Sequence, residues 1–253
     1  MKKIFLTSDM GCSYKENGIR YVQKINNANG IIEQIKSRLN DENVFLFVCS
    51  NPDTYELNDN YARLTFDSFN MSGFNFKKLI VVDHRYNGSL IDDMKKANIV
   101  FLSGGHTLTE MEHFNEIGLK ELLMDYDGVI IGQSAGSMNL AKTVICAPEY
   151  EDEVGGKYVW DGLGLTEINV EPHFKLEIDE SEDIFRQELL KLSIDNNIYA
   201  ICDGSHIAVD GNEDLLYGEG YLIHNKEITK LNNDKAKFII SSYKDDKNSR
   251  ILK

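Results

Sequence analysis

Short apolar runs recur along the first half of the chain, separated by longer amphipathic segments. The runs are KIFLTS (3–8), VFLFVCS (44–50), KLIVVD (78–83), NIVFLSGG (98–105) and GVIIGQS (128–134). Their apolar residues are continuous rather than alternating, which indicates strands buried on both faces. Because the intervening segments are long enough for crossover helices, the pattern predicts an α/β fold with a doubly wound, mainly parallel sheet.

The segment between the fourth and fifth runs has the pattern of an amphipathic helix. Thr107 followed by Glu110 predicts a capping box at its start. The residues that share one helical face are Leu108, Met111, Phe114, Leu119 and Leu122. We therefore predict that this face packs against the sheet.

The pattern changes after residue 141. A loop-like stretch at 147–165 precedes a short apolar run at 168–174 and a helix predicted over 180–194. The later stretches YAICDGSHIAVDG, LLYGEGYLIHNKEITKL and AKFIISSY predict short strands joined by Asp-Gly and Gly-x-Gly turns. No linker composition interrupts the chain, so we expect one domain over 1–253, with residues 212–253 as a C-terminal β extension.

Charge and cysteine content narrow the expected partners and surroundings. The chain has 27 basic and 41 acidic residues and a formal net charge of −14. This charge repels phosphate backbones and anionic membranes, so we expect neither nucleic acid nor a membrane as a partner. The four cysteines form no C-x-x-C pair, the apolar run near Met1 is too short for the core of a signal peptide, and no window reaches the ~20 apolar residues of a membrane span. We expect a cytoplasmic protein that is a monomer or a homodimer.

The segment VIIGQSAGSMNLA (129–141) places a Gly-x-Ser-x-Gly turn between an apolar run and helix-forming residues. A strand that turns sharply into a helix through this motif holds its serine strained and exposed at the carboxyl end of a sheet. Small flanking residues are needed there because larger side chains would clash. The motif in this context predicts that Ser134 is a nucleophile.

A serine nucleophile needs a histidine base and a carboxylate that orients the base. His173 stands in EPHF, after a proline at the end of a short apolar run, and this rigid extended setting favours it as the base. His206 and His106 remain alternatives. The other histidines, for which exposed, capping or hairpin positions are expected, are His84, His113 and His224.

Backbone N–H groups must also stabilise the oxyanion of an acyl-transfer intermediate. One donor is expected from Ala135, the residue after the nucleophile, and another from a glycine-rich turn at the end of a neighbouring strand. LSGGHT supplies such a turn, in which Gly104 and Gly105 let the backbone approach an oxyanion closely. The same turn is also typical of a tight connection from strand to helix, and the two roles are compatible.

Three segments in this order, FLSGGHT, GQSAGS and VEPHF, resemble the oxyanion, nucleophile and histidine motifs of the S51 serine peptidases, which include dipeptidase E and cyanophycinase. The resemblance extends to residue 211. It implies a flavodoxin-like fold akin to class I glutamine amidotransferases, with Ser134 as nucleophile and His173 as base. It also implies an acidic third member of the triad in APEYEDE, for which we choose Glu149. The alternatives are Glu151 and Asp152, with Asp203 as a fallback.

Two positions depart from the family pattern. His106 stands where the oxyanion turn of the family usually carries Asn, and we expect it to border the substrate. The arginine that dipeptidase E offers to an N-terminal aspartate falls on DESED (179–183), which contains no arginine. Arg186 is the candidate substitute for binding substrate, although an ion pair with Glu182 is an alternative role.

The sequence therefore predicts a serine peptidase that cleaves short peptides through an acyl-enzyme, without a metal or an organic cofactor. One alternative is another acyl hydrolase, such as an esterase, whose histidine would come later in the chain at His206 or His224. A second alternative is a non-catalytic protein that binds small molecules on the same fold. Side-chain preference and peptide length do not follow from the sequence.

Overall fold

The computed structural model describes residues 3–148, 155–177, 183–211, 213–231 and 238–240. Its strands are β1 (Lys3–Thr7), β2 (Ser13–Glu16), β3 (Ile19–Val22), β4 (Val44–Val48), β5 (Lys78–Val82), β6 (Ile99–Leu102), β7 (Val129–Gln133), β8 (Thr143–Ile145), β9 (Val159–Asp161), β10 (Asn169–Glu171), β11 (Ile198–Ile201), β12 (His206–Val209), β13 (Leu215–Tyr217), β14 (Gly220–His224), β15 (Glu227–Lys230) and β16 (Phe238–Ile239). Its helices are α1 (Ile31–Arg38), α2 (Tyr55–Met71), α3 (Leu90–Met94), α4 (Thr107–Glu116), α5 (Leu119–Met124), α6 (Ala135–Asn139) and α7 (Asp183–Leu192).

The central sheet has the strand order β16-β13-β12-β1-β7-β6-β4-β5. The five strands from β1 to β5 in this order are parallel, and β12, β13 and β16 continue the sheet in antiparallel pairing. Each of the five apolar runs forms one of the parallel strands. The predicted α/β fold with a doubly wound, mainly parallel sheet is confirmed.

Helices cover both faces of the sheet, which explains why its strands are apolar throughout. On one face, the phenylalanines of β1, β4 and β6 pack against α1 and α2. On the other face, the intervening aliphatic residues of the same strands pack against α3, α4, α5 and α6. The parallel strands are therefore buried from both sides.

A second sheet, with the order β10-β11-β14-β15, lies in the C-terminal half and packs with α7 in a separate core cluster. The Asp-Gly and Gly-x-Gly turns connect short strands there as predicted. The described part of 212–253 supplies β13 and β16 to the central sheet and β14 and β15 to the second sheet. The single domain over 1–253, with 212–253 as a C-terminal β extension, stays a prediction.

The start of α4 differs from the predicted capping box. His106, and not Thr107, is the N-cap, and its side chain accepts a hydrogen bond from Thr109 N. Glu110 does not reach back to the cap, because its side chain is fully buried and accepts a hydrogen bond from Asn139. The capping-box prediction is therefore wrong, because the Glu110 side chain bonds to a buried residue of α6 instead of to the start of its own helix.

The predicted apolar stripe is also divided. Gly118, with φ 62°, separates α4 from α5, and Leu108 is 38% exposed. Met111, Phe114 and Leu119 are buried as predicted. The later helix begins at Asp183 in the described chain, and 180–182 lie outside the described residues. Within the described ranges, no helix combines the length and apolar character needed to cross a membrane.

Candidate active site

Ser134 lies in the sharp turn between β7 and α6, with φ 54° and ψ −120°. Non-glycine residues rarely adopt this conformation, which costs on the order of 1–3 kcal/mol and must be held by its surroundings. Glycines make the turn possible. A Cβ on Gly136 would lie 2.4 Å from the Leu102 carbonyl oxygen, and one on Gly132 would lie 2.6 Å from the Gly136 carbonyl oxygen. The turn has the geometry of a nucleophile elbow.

His173 follows β10 and faces Ser134. Its Nε2 lies 2.9 Å from Ser134 Oγ, and its side chain is 49% exposed. A ring nitrogen at this distance can accept the hydroxyl proton as the oxygen attacks. The structure thus brings together the two residues that the sequence predicts as nucleophile and base.

Asp203 follows β11 and contacts the other side of the imidazole. Its Oδ1 lies 2.7 Å from His173 Nδ1. This bond to His173 is the main cause that holds the pKa of Asp203 below its ordinary value. Because β10 and β11 are parallel neighbours, their carboxyl ends meet and set His173 beside Asp203. The fallback residue therefore occupies the position of a third triad member, while Glu149, Glu151 and Asp152 lie outside the described residues.

Ser8 is a member of the site that sequence reasoning missed. It is fully buried, its Oγ donates to Asp203 Oδ1 at 2.6 Å, and the same oxygen accepts from His173 N at 2.7 Å. Ser8 directly follows β1, which pairs in parallel with β7 so that Thr7 stands opposite Gln133. Sequence reasoning could have found Ser8 only from its place directly after the first apolar run, which puts it at the same edge of the sheet as Ser134.

The glycine turn after β6 lies against the elbow. A Cβ on Gly104 would be 2.9 Å from Ser134 Cβ, and one on Gly105 would be 2.2 Å from Ser50 Oγ. Neither position has room for a side chain. Within the described chain, the N–H groups of Gly104, Gly105 and Ala135 donate to no backbone carbonyl. Gly104 therefore lies against the nucleophile and Ala135 follows it in the chain, and the oxyanion role of Gly104, Gly105 and Ala135 stays a prediction.

The two residues predicted to bind substrate have different environments. His106 is exposed at the end of the glycine turn, where its Nδ1 lies 2.9 Å from Thr109 Oγ1. Arg186 is 9% exposed, its guanidinium lies 4.6 Å from the centre of the Phe174 ring, and it donates to the Lys175 carbonyl. Arg186 therefore braces the segment that follows His173. Glu182, its alternative partner, lies outside the described residues.

The later histidines do not contact the nucleophile. His206 is fully buried on β12, where its ring stacks on Tyr217 and its Nε2 lies 3.2 Å from Gln34 Oε1. Burial lowers the pKa of His206 to about 3. His224 is exposed at the end of β14. The esterase alternative required one of these as the base, and it is wrong on that point because His173 occupies the position beside Ser134.

Comparison with known proteins identifies the family and supports the fold. The model of Peptidase family S51 matches residues 21–216. A peptidase from an acI-B1 Actinobacterium has a similar fold, with a TM-score of 0.68 and 16% identity over 94% of this chain and 97% of that one. A peptidase E protein from Listeria monocytogenes gives a TM-score of 0.58 and 17% identity over 85% of this chain and 98% of that one. A search of curated proteins finds no match. Since the family model covers most of the chain, the chain belongs to peptidase family S51 and is a serine peptidase.

Proposed function

We propose that this peptidase hydrolyses short peptides through an acyl-enzyme on Ser134, with His173 as base and Asp203 as the orienting carboxylate. The observation that carries the proposal is the continuous chain of contacts from Ser134 Oγ through the imidazole to Asp203 Oδ1, at 2.9 Å and 2.7 Å. Each of the three groups has the chemistry that its position requires.

In the proposed reaction, His173 Nε2 takes the proton from Ser134 Oγ as this oxygen attacks the peptide carbonyl carbon. The N–H groups of Gly105 and Ala135 stabilise the resulting oxyanion. The protonated His173 then gives its proton to the leaving amine, and the acyl-enzyme remains. A water molecule, deprotonated by His173, hydrolyses the acyl-enzyme and restores the serine.

Asp203 replaces Glu149 in this proposal for a physical reason. An imidazole has two ring nitrogens, and the base can use only the one that faces the serine. Asp203 accepts from the other nitrogen and so fixes the proton on Nδ1 of the resting ring, which leaves Nε2 as the acceptor. No position on His173 then remains for a second orienting carboxylate.

The substrate class rests on the family resemblance and on the residues at the site entrance. With Nδ1 of His106 engaged by Thr109, the neutral ring carries its proton on Nε2 and offers a donor to a substrate carbonyl. Arg186 would have to leave the Phe174 ring to bind a substrate carboxylate. We therefore propose peptide hydrolysis without assigning a preference for an N-terminal aspartate.

A panel of dipeptides that includes Asp-X, Glu-X and isoaspartyl members tests the proposal. We expect hydrolysis of at least one member, covalent labelling of Ser134 by a fluorophosphonate, and loss of both in Ser134→Ala. Asp203→Asn should lower kcat by about 10³–10⁴-fold, because the ring then adopts the wrong tautomer. Glu149→Gln is the matched control and should retain the activity of the unaltered enzyme.

The result that separates the two carboxylates is the comparison of Asp203→Asn with Glu149→Gln. A large loss in Glu149→Gln with little change in Asp203→Asn would reject Asp203 as the third member. Hydrolysis of activated esters without hydrolysis of any peptide would favour the broader class of acyl hydrolases. A chain that neither labels nor hydrolyses but shifts its melting temperature with small molecules would favour a binding protein.

A further inference from the structure

A second cluster of reactive side chains lies apart from Ser134, where the loop after β5 meets α4. It consists of His84, His113 and Glu116, and we call it the His-His-Glu cluster. One ligand atom from each residue lies within 4.8 Å of the others. His84 Nε2 lies 2.9 Å from Glu116 Oε2, and His113 Nδ1 lies 4.0 Å from the same oxygen. None of these residues takes part in the proposed peptide hydrolysis.

The buried histidine is the feature that needs an explanation. The side chain of His113 is only 1% exposed, and the Val82 carbonyl faces its ring. A single carbonyl can serve only one of the two ring nitrogens, so at least one nitrogen of this buried imidazole has no hydrogen-bond partner in the described chain. A buried polar group without such a partner costs about 1–3 kcal/mol. A ligand for a ring nitrogen would remove this cost.

The other two members supply a complementary setting. The Glu116 side chain is 60% exposed and the His84 side chain 35% exposed, so an ion from solvent can reach them. Asp53 lies 2.8 Å from His84 Nδ1 and so holds the ring with Nε2 towards Glu116. A carboxylate on the distal nitrogen is the usual way in which proteins orient a histidine that binds a metal.

An ordinary ion pair accounts for only part of this arrangement. A protonated His84 between Asp53 and Glu116 explains those three residues. It does not explain why a second, buried imidazole lies 4.0 Å from the same oxygen of Glu116. A cation shared by both imidazoles and the carboxylate accounts for all of them.

We propose that the His-His-Glu cluster binds a divalent transition metal of the zinc type, with Asp53 orienting His84. Two imidazoles and one carboxylate form a donor set that suits Zn²⁺, and solvent would complete its tetrahedral shell. Ligand atoms around tetrahedral zinc lie about 3.3 Å apart, given bonds of about 2.0–2.1 Å. The exposed Glu116 and His84 side chains can adjust to that spacing by rotation, while His113 stays fixed by its packing.

The site would join three segments of the molecule. His113 and Glu116 are on α4, whose N-cap is His106. His84 follows β5, and its backbone N–H bonds to the Pro52 carbonyl in the loop after β4. A metal there would tie α4 to both loops at the carboxyl edge of the sheet. No sequence motif predicts this site, because residues 84 and 113 are too far apart to form a metal-ligand spacing.

The test uses the full chain after treatment with a chelator, titrated with Zn²⁺ by calorimetry and with Co²⁺ by visible absorption. We expect one ion per chain and Co²⁺ bands of a site with nitrogen and oxygen ligands. His84→Gln and Glu116→Gln should each weaken binding by at least about 100-fold, and Asp53→Asn by about 10–100-fold. Glu112→Gln, on the exposed side of the same helix, is the matched control and should bind as the unaltered chain does.

The test relies on substitutions of the exposed His84 and Glu116, because a substitution of the buried His113 can also impair folding. The proposal would be overturned if the unaltered chain bound no Zn²⁺ with a Kd below about 100 μM. Equal Zn²⁺ affinity in the unaltered chain, His84→Gln and Glu116→Gln would also overturn it. His173→Gln provides a further check. Loss of binding in this variant, with retention in His84→Gln, would place the ion at the triad and reject the His-His-Glu cluster.

Discussion

At the scale of single residues, the nucleophile and the base both have backbone conformations that are rare for their residue types. Ser134 has φ 54° and His173 has φ 55°. Such strain persists only where neighbouring groups determine the conformation. For His173 these groups are Ser8 Oγ, which accepts from its N–H at 2.7 Å, and the Ile201 carbonyl, which accepts from Phe174 N at 3.2 Å. Ser8 therefore holds both the backbone of the base and the Asp203 carboxylate.

Ser8→Ala tests this positioning role. The substitution removes the hydroxyl that donates to Asp203 and accepts from His173. Hydrogen bonds to charged groups contribute about 1.5–3 kcal/mol, which corresponds to a decrease in kcat of about 10–100-fold if the whole effect falls on the transition state. We expect KM to change little, since Ser8 is buried and does not reach the substrate. Steady-state kinetics on a dipeptide substrate provide the measurement.

The double variant Ser8→Ala/Asp203→Asn distinguishes positioning from general damage. If Ser8 acts through Asp203, the double variant should be only slightly slower than Asp203→Asn alone, because the two residues form one unit. Fully multiplicative effects of the two substitutions would contradict this role. A matching melting temperature for Ser8→Ala and the unaltered enzyme would exclude unfolding as the cause of a lower kcat.

At the scale of elements, a buried polar contact joins the two helices that carry the site. Asn139, at the end of α6, donates to Glu110 Oε2 at 2.8 Å and to the Thr107 carbonyl at 2.9 Å. α6 follows Ser134, and α4 follows the glycine turn. Burial raises the pKa of Glu110 well above its ordinary value, only partly offset by the Asn139 bond. Burial therefore favours the neutral form of the Glu110 carboxyl group.

This raised pKa predicts how stability depends on pH. Below the unfolded-state pKa of about 4.3, Glu110 is protonated in both states, and its contribution to stability is fully present. As the pH rises towards the folded-state pKa, only the unfolded state loses the proton, and the free energy of unfolding falls by up to about 1.4 kcal/mol per pH unit. Glu110→Gln removes this dependence. Its melting temperature, relative to the unaltered chain, should rise between pH 5 and pH 8.

Glu112→Gln is the control for this experiment, because Glu112 lies on the same helix but is exposed. It should leave the pH dependence of the melting temperature as it is in the unaltered chain. A constant difference between Glu110→Gln and the unaltered chain across this pH range would show that Glu110 ionises normally in the folded protein.

The same contact shows what sequence patterns could and could not predict about elements. The five parallel strands followed from their apolar runs, because strands covered by helices on both faces have no polar positions to obscure the pattern. The start of α4, in contrast, could not be predicted from its local pattern. Thr107 and Glu110 match a capping box, but Glu110 turns towards Asn139, a residue of another helix. A local motif cannot anticipate a buried partner that tertiary packing supplies.

At the scale of the whole molecule, the site draws residues from the ends of several strands. Ser8, Gly104 and Ser134 follow parallel strands of the central sheet, whereas His173 and Asp203 follow neighbouring strands of the second sheet. Ser134 and His173 were predictable because short local motifs surround them. Asp203 was predictable only as a fallback, because its position depends on the pairing of β10 with β11, which no local pattern encodes.

Net charge is a further property of the whole molecule, and it predicts a salt dependence of stability. The formal charge is −14 at pH 7, and the sequence pI is about 4.9. Like charges repel more strongly in the compact state, and salt screens this repulsion as the Debye length falls from about 30 Å at 0.01 M to about 10 Å at 0.1 M. At pH 7.5 we expect the melting temperature to rise by about 2–4 °C over this range, equivalent to about 1 kcal/mol.

The same titration with sodium chloride at pH 5 is the control, because the net charge there is close to zero. Repulsion then has no net contribution, and screening acts only on individual ion pairs, such as Arg85 with Asp59 and Asp83. The melting temperature should therefore stay constant or fall slightly as salt is added. A chelator in both buffers keeps trace metals from the His-His-Glu cluster. An equal rise at both pH values would mean that the salt effect comes from ion exclusion at the protein surface instead of from net charge.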